Sequence, residues 1–477
     1  MEADRLNGRW IGIALAAVVL LGGLILAIFK PHYVSNWGYL AAVIGIELLV
    51  LCAWHYQEFF FPVLLASFLW AGMGIPFAGV WQTARWIVLA AGAFLGFILW
   101  LQARRLYLHP FHYFFFAGVC AALASALSSP YPEIALLKVL SLFLLFVYSA
   151  TGARLSIAAR YKVFIPRFLF ACEIVAWGSA AAVLLIGRRV FGNQNSMGAI
   201  MGVAIFPPLL WGSLVATTAG LRRRCLMALA VCSVLLCMSM ARAGMLAAAV
   251  AAFVLLVSLR RYKLLCGSVC ALAVVLLGAS LFVPEQVNDL TSSVLYKQST
   301  EDKGVLESRR SVWRHTMNTI QQHPWLGTGF GTSAEGDAWN RIYVSTSSQL
   351  NREHGNSYLE MLDWLGVLGI LPFAAVLLLL VRQVGRVCIW IRRTGSALHP
   401  AVPLLAVVTA GLVHAIFEDW LLAVGYYLTV FFWPLAFSLM DLVPERMPVA
   451  PPLRVATVKP GVTPFPRPAA EAPSRMG

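Results

Sequence analysis

Charged residues are scarce in this chain. They make up 12% of its 477 residues, against 60% hydrophobic residues, whereas soluble globular domains are about 25% charged. The usual signatures of nucleotide-dependent enzymes are missing as well: there is no Walker A loop, no Rossmann glycine fingerprint between a strand and a helix, and no Asp-x-Asp. The nearest acidic motif is Glu335-Gly336-Asp337. An enzyme of this composition is expected to use a lipid-borne donor, with no metal and no cofactor.

Cysteine gives no sign of a disulfide framework or a zinc site. The nine cysteines lie in or beside apolar runs, their number is odd, and none forms Cys-x-x-Cys or stands near a cluster of histidines. The basic residues form no single patch, although the net charge is +15. They stand in short clusters between apolar runs, which is the pattern of cytoplasmic loops in membrane proteins. We therefore exclude a nucleic-acid-binding protein.

Apolar runs recur along the whole chain at about 20 residues, the length that an α-helix needs to cross a bilayer. With a mean hydropathy of +0.78, they predict an all-α polytopic membrane protein with about 12–14 transmembrane helices. The first run is too long for a cleaved signal and ends at Lys30-Pro31-His32, which indicates an uncleaved helix. The predicted helices are residues 10–29, 37–55, 58–78, 82–102, 111–129, 133–152, 163–187, 195–220, 225–241, 243–260, 264–283, 357–381, 400–417 and 421–440.

Clusters of Arg and Lys fix the predicted orientation, because all of them are cytoplasmic if the N-terminus is cytoplasmic. The chain then divides into N-terminal transmembrane helices (1–283), one large loop outside the cytoplasm (284–356), C-terminal transmembrane helices (357–440) and a proline-rich, disordered cytoplasmic tail (441–477). Loops of this length without a domain of their own are usually functional. We therefore expect the large loop to carry short helices and the chemistry.

Arginines gather on the predicted outer face. Arg242 in SMARAGML stands at the outer ends of two apolar runs, where a charge is costly and indicates a functional site. Arg188 and Arg189 lie outside the cytoplasm against the positive-inside bias, and Arg309 and Arg310 lie in the large loop. Arginine binds phosphate oxygens through a rigid two-pronged donor, so separated arginines around one cleft suit a diphosphate. Contact with lipid headgroups, or a charged amphipathic helix, is the alternative explanation.

The stretch REHGNSYLEMLDWLGVLG carries polar residues directly into an apolar helix. Ser357 to Glu360 fits a capping box, in which Ser357 caps the helix and Glu360 bonds back to the backbone. The capped end points its positive dipole at the outer face, where it attracts phosphate, beside Asn356. His354 has no evident structural role and can accept a proton from a hydroxyl. The two glycines of GVLG predict close helix packing.

Four motifs resemble, in their order along the chain, the O-antigen ligase and O-antigen polymerase superfamily of bacterial inner membranes. They are SMARAG, SRRSVW, HPWLGTGFG and HGNSYLEMLDWLGVLG, and the resemblance covers roughly residues 190–440. Family members often have His followed directly by Asn, Ser or Gln, whereas here Gly355 stands between His354 and Asn356. The resemblance implies a GT-C-like glycosyltransferase of the Gram-negative inner membrane, with its active site facing the periplasm.

The resemblance also assigns roles to residues. Arg242, Arg310 and His354 match the family's essential arginines and histidine. Arg310 is preferred to Arg309 because it stands three residues before Trp313. The substrate-binding residues expected beside them are Arg188, Arg189, Arg309 and Asn356. Within the superfamily we expect a ligase, which joins O-antigen polysaccharide from undecaprenyl diphosphate to the lipid A–core acceptor and completes lipopolysaccharide.

The expected reaction is a direct displacement. The arginines hold the diphosphate, and His354 orients or deprotonates an acceptor sugar hydroxyl, so that the anomeric carbon is inverted. His414, Glu418 and Asp419 are alternative bases. The same donor site would serve an O-antigen polymerase or a protein O-oligosaccharyltransferase, which differ in the acceptor. A lipid or polysaccharide transporter fits less well, because the sequence shows no internal repeat with broken helices, and a structural scaffold would not need outward arginines around a histidine.

Overall fold

The computed structural model describes residue 45 and residues 57–73, 78–102, 107–187, 191, 193–282, 307–332 and 354–442. These ranges consist of helices joined by turns, so the predicted all-α fold is confirmed. The predicted helices 10–29 and 37–55 lie outside the described residues. The α-helices are α1 (Gln57–Gly72), α2 (Ala78–Gln102), α3 (Pro110–Leu127), α4 (Pro132–Ala150), α5 (Gly152–Ile157), α6 (Tyr161–Ile186), α7 (Gln194–Ala199), α8 (Phe206–Val215), α9 (Ala219–Met238), α10 (Arg242–Ser258), α11 (Tyr262–Phe282), α12 (Glu307–Gln322), α13 (Ser357–Thr394), α14 (Ala401–His414) and α15 (Tyr427–Asp441), with a π-helical segment at Ile200–Ile205.

Seven of the described helical stretches are long and apolar enough to cross a membrane by length and composition, and four apolar helices are shorter. Large apolar side chains stay exposed on their surfaces, among them Leu184, Val274 and Leu378, as a lipid-facing surface requires. The eight described cysteines are free, in agreement with the predicted lack of a disulfide framework. The chain is therefore a multi-pass membrane protein.

The described basic clusters lie at the helix ends opposite to the end that carries His354. Helix α13 starts three residues after His354 and reaches Arg392 and Arg393 in its last turn. Helix α9 starts beside Arg222 and ends just before the turn that leads to Arg242. This is the arrangement that the predicted orientation requires. We refer to the opposite end as the His354 end of the helices.

Aromatic rings fill the core between α3, α13 and α15. The ring of Phe115 meets those of Phe373 and Trp433 edge to face, with centroids 5.6 and 4.8 Å apart. Gly118 lets α13 approach, because a Cβ there would lie 2.7 Å from the Phe373 ring. The tight packing of α3 against α13 fixes the position of the outer part of α13, which carries the polar site.

Helix α13 breaks at Gly366, where φ is 63° and ψ is −175°. Backbone groups on either side of the break form hydrogen bonds with the HPWLGTGFG motif. The N–H of Val367 donates to the carbonyl of Pro324 at 2.8 Å, and the N–H of Thr328 donates to the carbonyl of Asp363 at 2.8 Å. Only glycine readily adopts this backbone conformation. The prediction that Gly366 serves helix packing is therefore wrong, because this glycine ends a short outer helix and seats the end of the large loop.

Three predicted boundaries also change. Helix α13 continues past residue 381 to Thr394, where Gly395 ends it with a φ of 69°. The last helix begins at Tyr427 rather than 421, because turns occupy the preceding residues. Asp441, predicted as the first residue of the tail, is the last residue of α15 and binds the buried Arg154.

Candidate active site

Asp363 and His354 form a buried pair at the outer end of α13. The carboxylate Oδ2 of Asp363 lies 2.8 Å from Nε2 of His354, and both side chains are almost fully buried, at 0% and 1% exposure. A carboxylate can only accept a hydrogen bond, so with Asp363 ionised the donor of this contact is Nε2. The other oxygen of Asp363 and Nδ1 of His354 are buried without a hydrogen bond to the described part of the chain. The carboxylate therefore fixes both the tautomer and the orientation of the imidazole.

Asp419, in the turn that follows α14, contacts His354 from the other side. Its Oδ2 accepts the backbone N–H of His354 at 2.5 Å and that of Gly355 at 3.3 Å. The same oxygen lies 3.8 Å from Nδ1 of His354. The side chain of Asp419 is 16% exposed. Asp363, His354 and Asp419 thus form a row that runs from the interior to the surface.

Asn356, rather than Ser357, caps α13. The side-chain oxygen of Asn356 accepts the backbone N–H groups of the second and third residues after it, at 2.8 and 3.1 Å. The hydroxyl of Ser357 instead donates to the carbonyl of Glu418 at 2.7 Å and accepts the backbone N–H of Trp420 at 2.9 Å. The predicted capping box is therefore wrong. Ser357 ties the turn that carries Glu418 to the start of α13.

Glu360 does not return to the helix backbone, as the capping box required. Its carboxyl group points into the protein at 2% exposure, and Oε2 makes no hydrogen bond to the described residues. Its charge interacts unfavourably with Asp419 and Asp363, and favourably with Lys138. Lys138 reaches the site from α4, where its ammonium also donates to the carbonyl of Gly331. Glu360 and Lys138 thus add an acid and a cation beneath the His354 row.

Helix α12 brings Arg309 to the same place. Its guanidinium Nη2 lies 2.6 Å from Oε1 of Glu418, which also accepts the amide of Asn195 at 3.3 Å. One turn further along α12, the indole N–H of Trp313 donates to the carbonyl of Gly355 at 3.3 Å. Gly355 has a φ of 60°, and a Cβ there would lie 2.4 Å from Nη1 of Arg309. The glycine that interrupts the family's usual His-Asn order therefore makes room for the guanidinium.

Arg242, the first residue of α10, lies close enough to Arg309 for the two positive charges to repel each other. Its position depends on close backbone contact, because a Cβ on Gly244 would lie 2.4 Å from the carbonyl oxygen of Gly198. Glycines at this crossing let α10 approach α7. Two guanidinium groups held together in this way suit a ligand with several negative oxygens.

The remaining predicted residues fall as follows. Arg310 is exposed on α12, turned by about 100° from Arg309 around the helix axis. The structure brings Arg309 to the His354 row, in the place that the resemblance gave to Arg310. Arg188 and Arg189 lie outside the described residues. Asn356 has a structural role as the cap of α13.

Two further groups near the site are not available as bases. His414, one of the alternatives, is buried, and its Nδ1 accepts the indole N–H of Trp420 at 3.0 Å. Tyr426 lies in the turn before α15, with its hydroxyl 2.7 Å from that of Tyr427. Burial raises the pKa of Tyr426 to about 12, so this phenol is neutral at physiological pH. Neither His414 nor Tyr426 is therefore placed to take a proton at this site.

Three groups of the site have the donor atoms that metal ions bind. A ring nitrogen of His354 and carboxylate oxygens of Glu360 and Asp419 lie within 4.8 Å of one another, and a His and two carboxylates are suitable ligands for a divalent metal. Two features oppose a cation there. Oδ2 of Asp419 already accepts two backbone N–H groups, and the charge of Lys138 interacts with Glu360. We therefore interpret the cluster as a proton-transfer group.

Sequence reasoning missed Asp363 and Lys138. The spacing of Glu360 and Asp363 was the available signal, because two acids three residues apart share one face of a helix, and this helix is otherwise apolar. Lys138 gave a weaker signal: it is a single cation inside the apolar run PEIALLKVLSLF, away from the predicted basic loops.

A family model described as O-Antigen ligase matches residues 227–374. The matched segment runs from α9 into α13 and contains Arg242, Arg309, His354 and Asp363. No curated protein matches the chain. The match confirms the resemblance drawn from the four motifs, and it covers α10, α12 and the start of α13. Lys138, Glu418 and Asp419 of the polar site lie outside the matched residues.

Proposed function

We propose that the chain is an O-antigen ligase, on the premise of the match between residues 227–374 and the O-Antigen ligase family model. The enzyme transfers O-antigen polysaccharide from undecaprenyl diphosphate to lipid A–core and so completes lipopolysaccharide. It works at the periplasmic face of the Gram-negative inner membrane, with residues 284–356 as the large periplasmic loop. Its partners are the two lipid-linked saccharides and the surrounding membrane lipids.

The observation that carries this proposal is the convergence of Arg242 and Arg309 beside the His354 row. Their charges interact although they come from α10 and α12, and repulsion between them is relieved when an anion binds both. A diphosphate offers several oxygens in the geometry that guanidinium groups bind. As the leaving group departs with its charge, these donors stabilise it, and each such contact typically contributes about 3 kcal/mol in the transition state.

Arg310, Arg188 and Arg189 stay in the proposal as further donors to the diphosphate or its lipid, on the strength of the family resemblance. The amide nitrogen of Asn356 is a further donor, since only its oxygen is used for the cap. The start of α13 adds the positive end of a helix dipole, which attracts phosphate.

The acceptor hydroxyl is activated by the His354 row. A base that takes the hydroxyl proton as the sugar oxygen attacks typically contributes about 10² to 10⁴ in rate. Attack on the face opposite the diphosphate is a direct displacement, so the anomeric carbon is inverted. The reaction needs no metal and no cofactor, because the diphosphate charge is met by arginine and the proton by the His354 row.

An O-antigen polymerase or a protein O-oligosaccharyltransferase is the alternative within the superfamily. Both would keep the diphosphate site and differ in the acceptor, which the described side chains do not distinguish. A transporter stays less favoured, because the polar groups gather at the His354 end rather than along a path through the helices.

Purified protein in nanodiscs, given lipid-linked O-antigen and lipid A–core, tests the proposal. The reaction contains EDTA and no nucleotide, and formation of lipopolysaccharide with O-antigen is followed on gels. We expect transfer by the wild type and by Arg314→Ala, a control for an exposed arginine of α12, and loss of transfer with His354→Ala and Arg309→Ala.

Three results would change the proposal. Longer lipid-linked chains with no product on the core would make the protein a polymerase. Transfer to an added protein acceptor would make it an oligosaccharyltransferase. Transfer that EDTA abolishes and Mg²⁺ or Mn²⁺ restores would show that a metal occupies the His354, Glu360 and Asp419 cluster.

A further inference from the structure

The exposed fraction of the side chain differs strongly along the row of Asp363, His354 and Asp419. The two inner side chains are 0% and 1% exposed, whereas Asp419 is 16% exposed. Both nitrogens of the imidazole are withdrawn from a substrate: Nε2 is held by Asp363, and Nδ1 is buried. A sugar hydroxyl that approaches this group from outside therefore meets the carboxylate of Asp419 first.

We propose that Asp419 is the base that takes the proton of the acceptor hydroxyl, and that His354, fixed by Asp363, is a positioning residue. The inference rests on the proposed transferase function and assigns its base. The family resemblance lets His354 either orient or deprotonate the acceptor hydroxyl. In this proposal Asp419 takes the proton and His354 serves only for positioning. The proposal follows from burial and from the contacts of Asp419 described next.

The carboxylate of Asp419 is held firmly. Its Oδ2 accepts backbone N–H groups from His354 and Gly355, and the hydroxyl of Ser357 binds the residues on either side of it in sequence. The imidazole of His354 is held by Asp363, and this keeps in place the backbone N–H of His354 that binds the carboxylate. Such preorganisation is what places a base within reach of one hydroxyl proton.

Asp419 is also next in sequence to the group that holds the anion site. The preceding residue, Glu418, binds Arg309 at 2.6 Å, and Arg309 lies within electrostatic range of Arg242. The base and the diphosphate donors therefore meet in one turn after α14. An acceptor hydroxyl on Asp419 stands beside the diphosphate site, as a displacement at the anomeric carbon requires.

The charged groups of the site come from four elements. Glu360 and Asp363 belong to α13, Lys138 to α4, Arg309 to α12, and Glu418 to the turn that also carries Asp419. Glu360 interacts unfavourably with Asp419.

The step balances without a further reactant. The O–H bond of the acceptor breaks, and its proton moves to the carboxylate of Asp419. The oxygen lone pair forms the bond to the anomeric carbon while the bond from that carbon to the diphosphate oxygen breaks. The electron pair leaves with the diphosphate between the arginines, and Asp419 later returns its proton to water.

Turnover and donor KM of Asp419→Asn decide the assignment. Asparagine keeps the shape and can still accept the two backbone N–H groups, so the turn is preserved, but its amide cannot take a proton. We expect turnover to fall by about 10² to 10⁴, with the donor KM within about threefold of the wild type. A fall of less than tenfold would overturn the proposal.

Chemical rescue supplies a second, independent readout. His354→Ala leaves a cavity for imidazole, and Asp419→Ala leaves one for formate; His315→Ala, on the exposed face of α12, controls for effects of added imidazole. We expect formate to restore turnover in Asp419→Ala and imidazole to leave His354→Ala inactive. Recovery of His354→Ala with imidazole would make the histidine the base.

Failure of the proposed function and failure of this assignment give different results. If the wild type itself transfers nothing, the proposed function fails. If the wild type and Asp419→Asn transfer equally well, the function stands and the assignment of Asp419 as the base fails.

Discussion

The guanidinium of Arg309 and the carboxylate of Glu418 meet at 2.6 Å across 109 residues of chain. Each side chain keeps less than a fifth of its surface exposed. This pair joins α12, in the large loop, to the turn that carries Asp419, so the donor side and the acceptor side of the proposed reaction depend on one contact.

Arg309→Ala is therefore expected to lower turnover by about 10²-fold, the effect of removing one transition-state donor worth about 3 kcal/mol. It should also weaken donor binding, since the same guanidinium meets the diphosphate in the bound state. Initial rates over a range of donor concentrations measure both. Arg314→Ala, on the exposed side of α12, should keep wild-type kinetics.

Arg310→Ala decides between the resemblance and the geometry. The resemblance gives Arg310 the essential role, whereas the structure directs Arg309 toward Glu418 and Gly355. We expect the larger loss in Arg309→Ala. A larger loss in Arg310→Ala would mean that the exposed face of α12 binds the donor.

Asn356 allows its cap and its proposed contact with substrate to be separated. Asn356→Asp keeps an oxygen for the two N–H groups at the start of α13 and should retain stability, whereas Asn356→Ala should lose about 1 kcal/mol. Thermal unfolding in detergent measures this difference. If the amide nitrogen also binds the diphosphate, Asn356→Asp raises the donor KM although it folds as well as the wild type.

The broad architecture could be predicted because long apolar runs and basic clusters follow directly from membrane physics. The motifs named His354, Asn356 and Arg309 among the predicted site residues, although they preferred Arg310 as the catalytic arginine. The contacts of the site could not be read from spacing. Whether Ser357 or Asn356 caps α13 depends on where the turn at Glu418 packs, since that turn takes the serine hydroxyl for its own backbone.

The hydrogen-bond partner of His354 could not be predicted from the sequence either. Asp363 reaches the histidine because Gly366 ends the outer part of α13 and the HPWLGTGFG motif binds the carbonyl groups left behind. A glycine in an apolar helix usually indicates close packing, so sequence alone favours the wrong interpretation. Only the left-handed φ of Gly366 reveals the break.

The contact between Arg154 and Asp441 gives a test of stability at the opposite end of the helices. Arg154 is 1% exposed and donates two hydrogen bonds to Asp441, at 2.5 and 2.8 Å, and another to the carbonyl of Tyr107. Removing one partner of a buried ion pair leaves the other charge uncompensated and typically costs about 3–5 kcal/mol.

Arg154→Ala should therefore unfold at a clearly lower temperature than the wild type, as measured by thermal unfolding in detergent. Arg223→Ala, an exposed arginine at the same end of the helices, should change stability by no more than about 0.5 kcal/mol. Equal unfolding temperatures for the two variants would mean that Arg154 and Asp441 contribute nothing to the anchoring of α15.

Gly366→Ala tests whether the break in α13 builds the site. The new Cβ would lie 2.3 Å from the carbonyl oxygen of Trp325, and alanine would have to adopt a backbone conformation that costs about 1–3 kcal/mol. The substitution should lower the unfolding temperature. It should also lower turnover, because straightening α13 moves Asp363 away from His354.

Gly385→Ala is the matched control on the same helix. Nothing lies within 4 Å of a Cβ at this position, so the substitution should be neutral or stabilise the protein by about 0.5–1 kcal/mol. Normal turnover in a stably folded Gly366→Ala variant would show that the proposed reaction does not need the pair of Asp363 and His354.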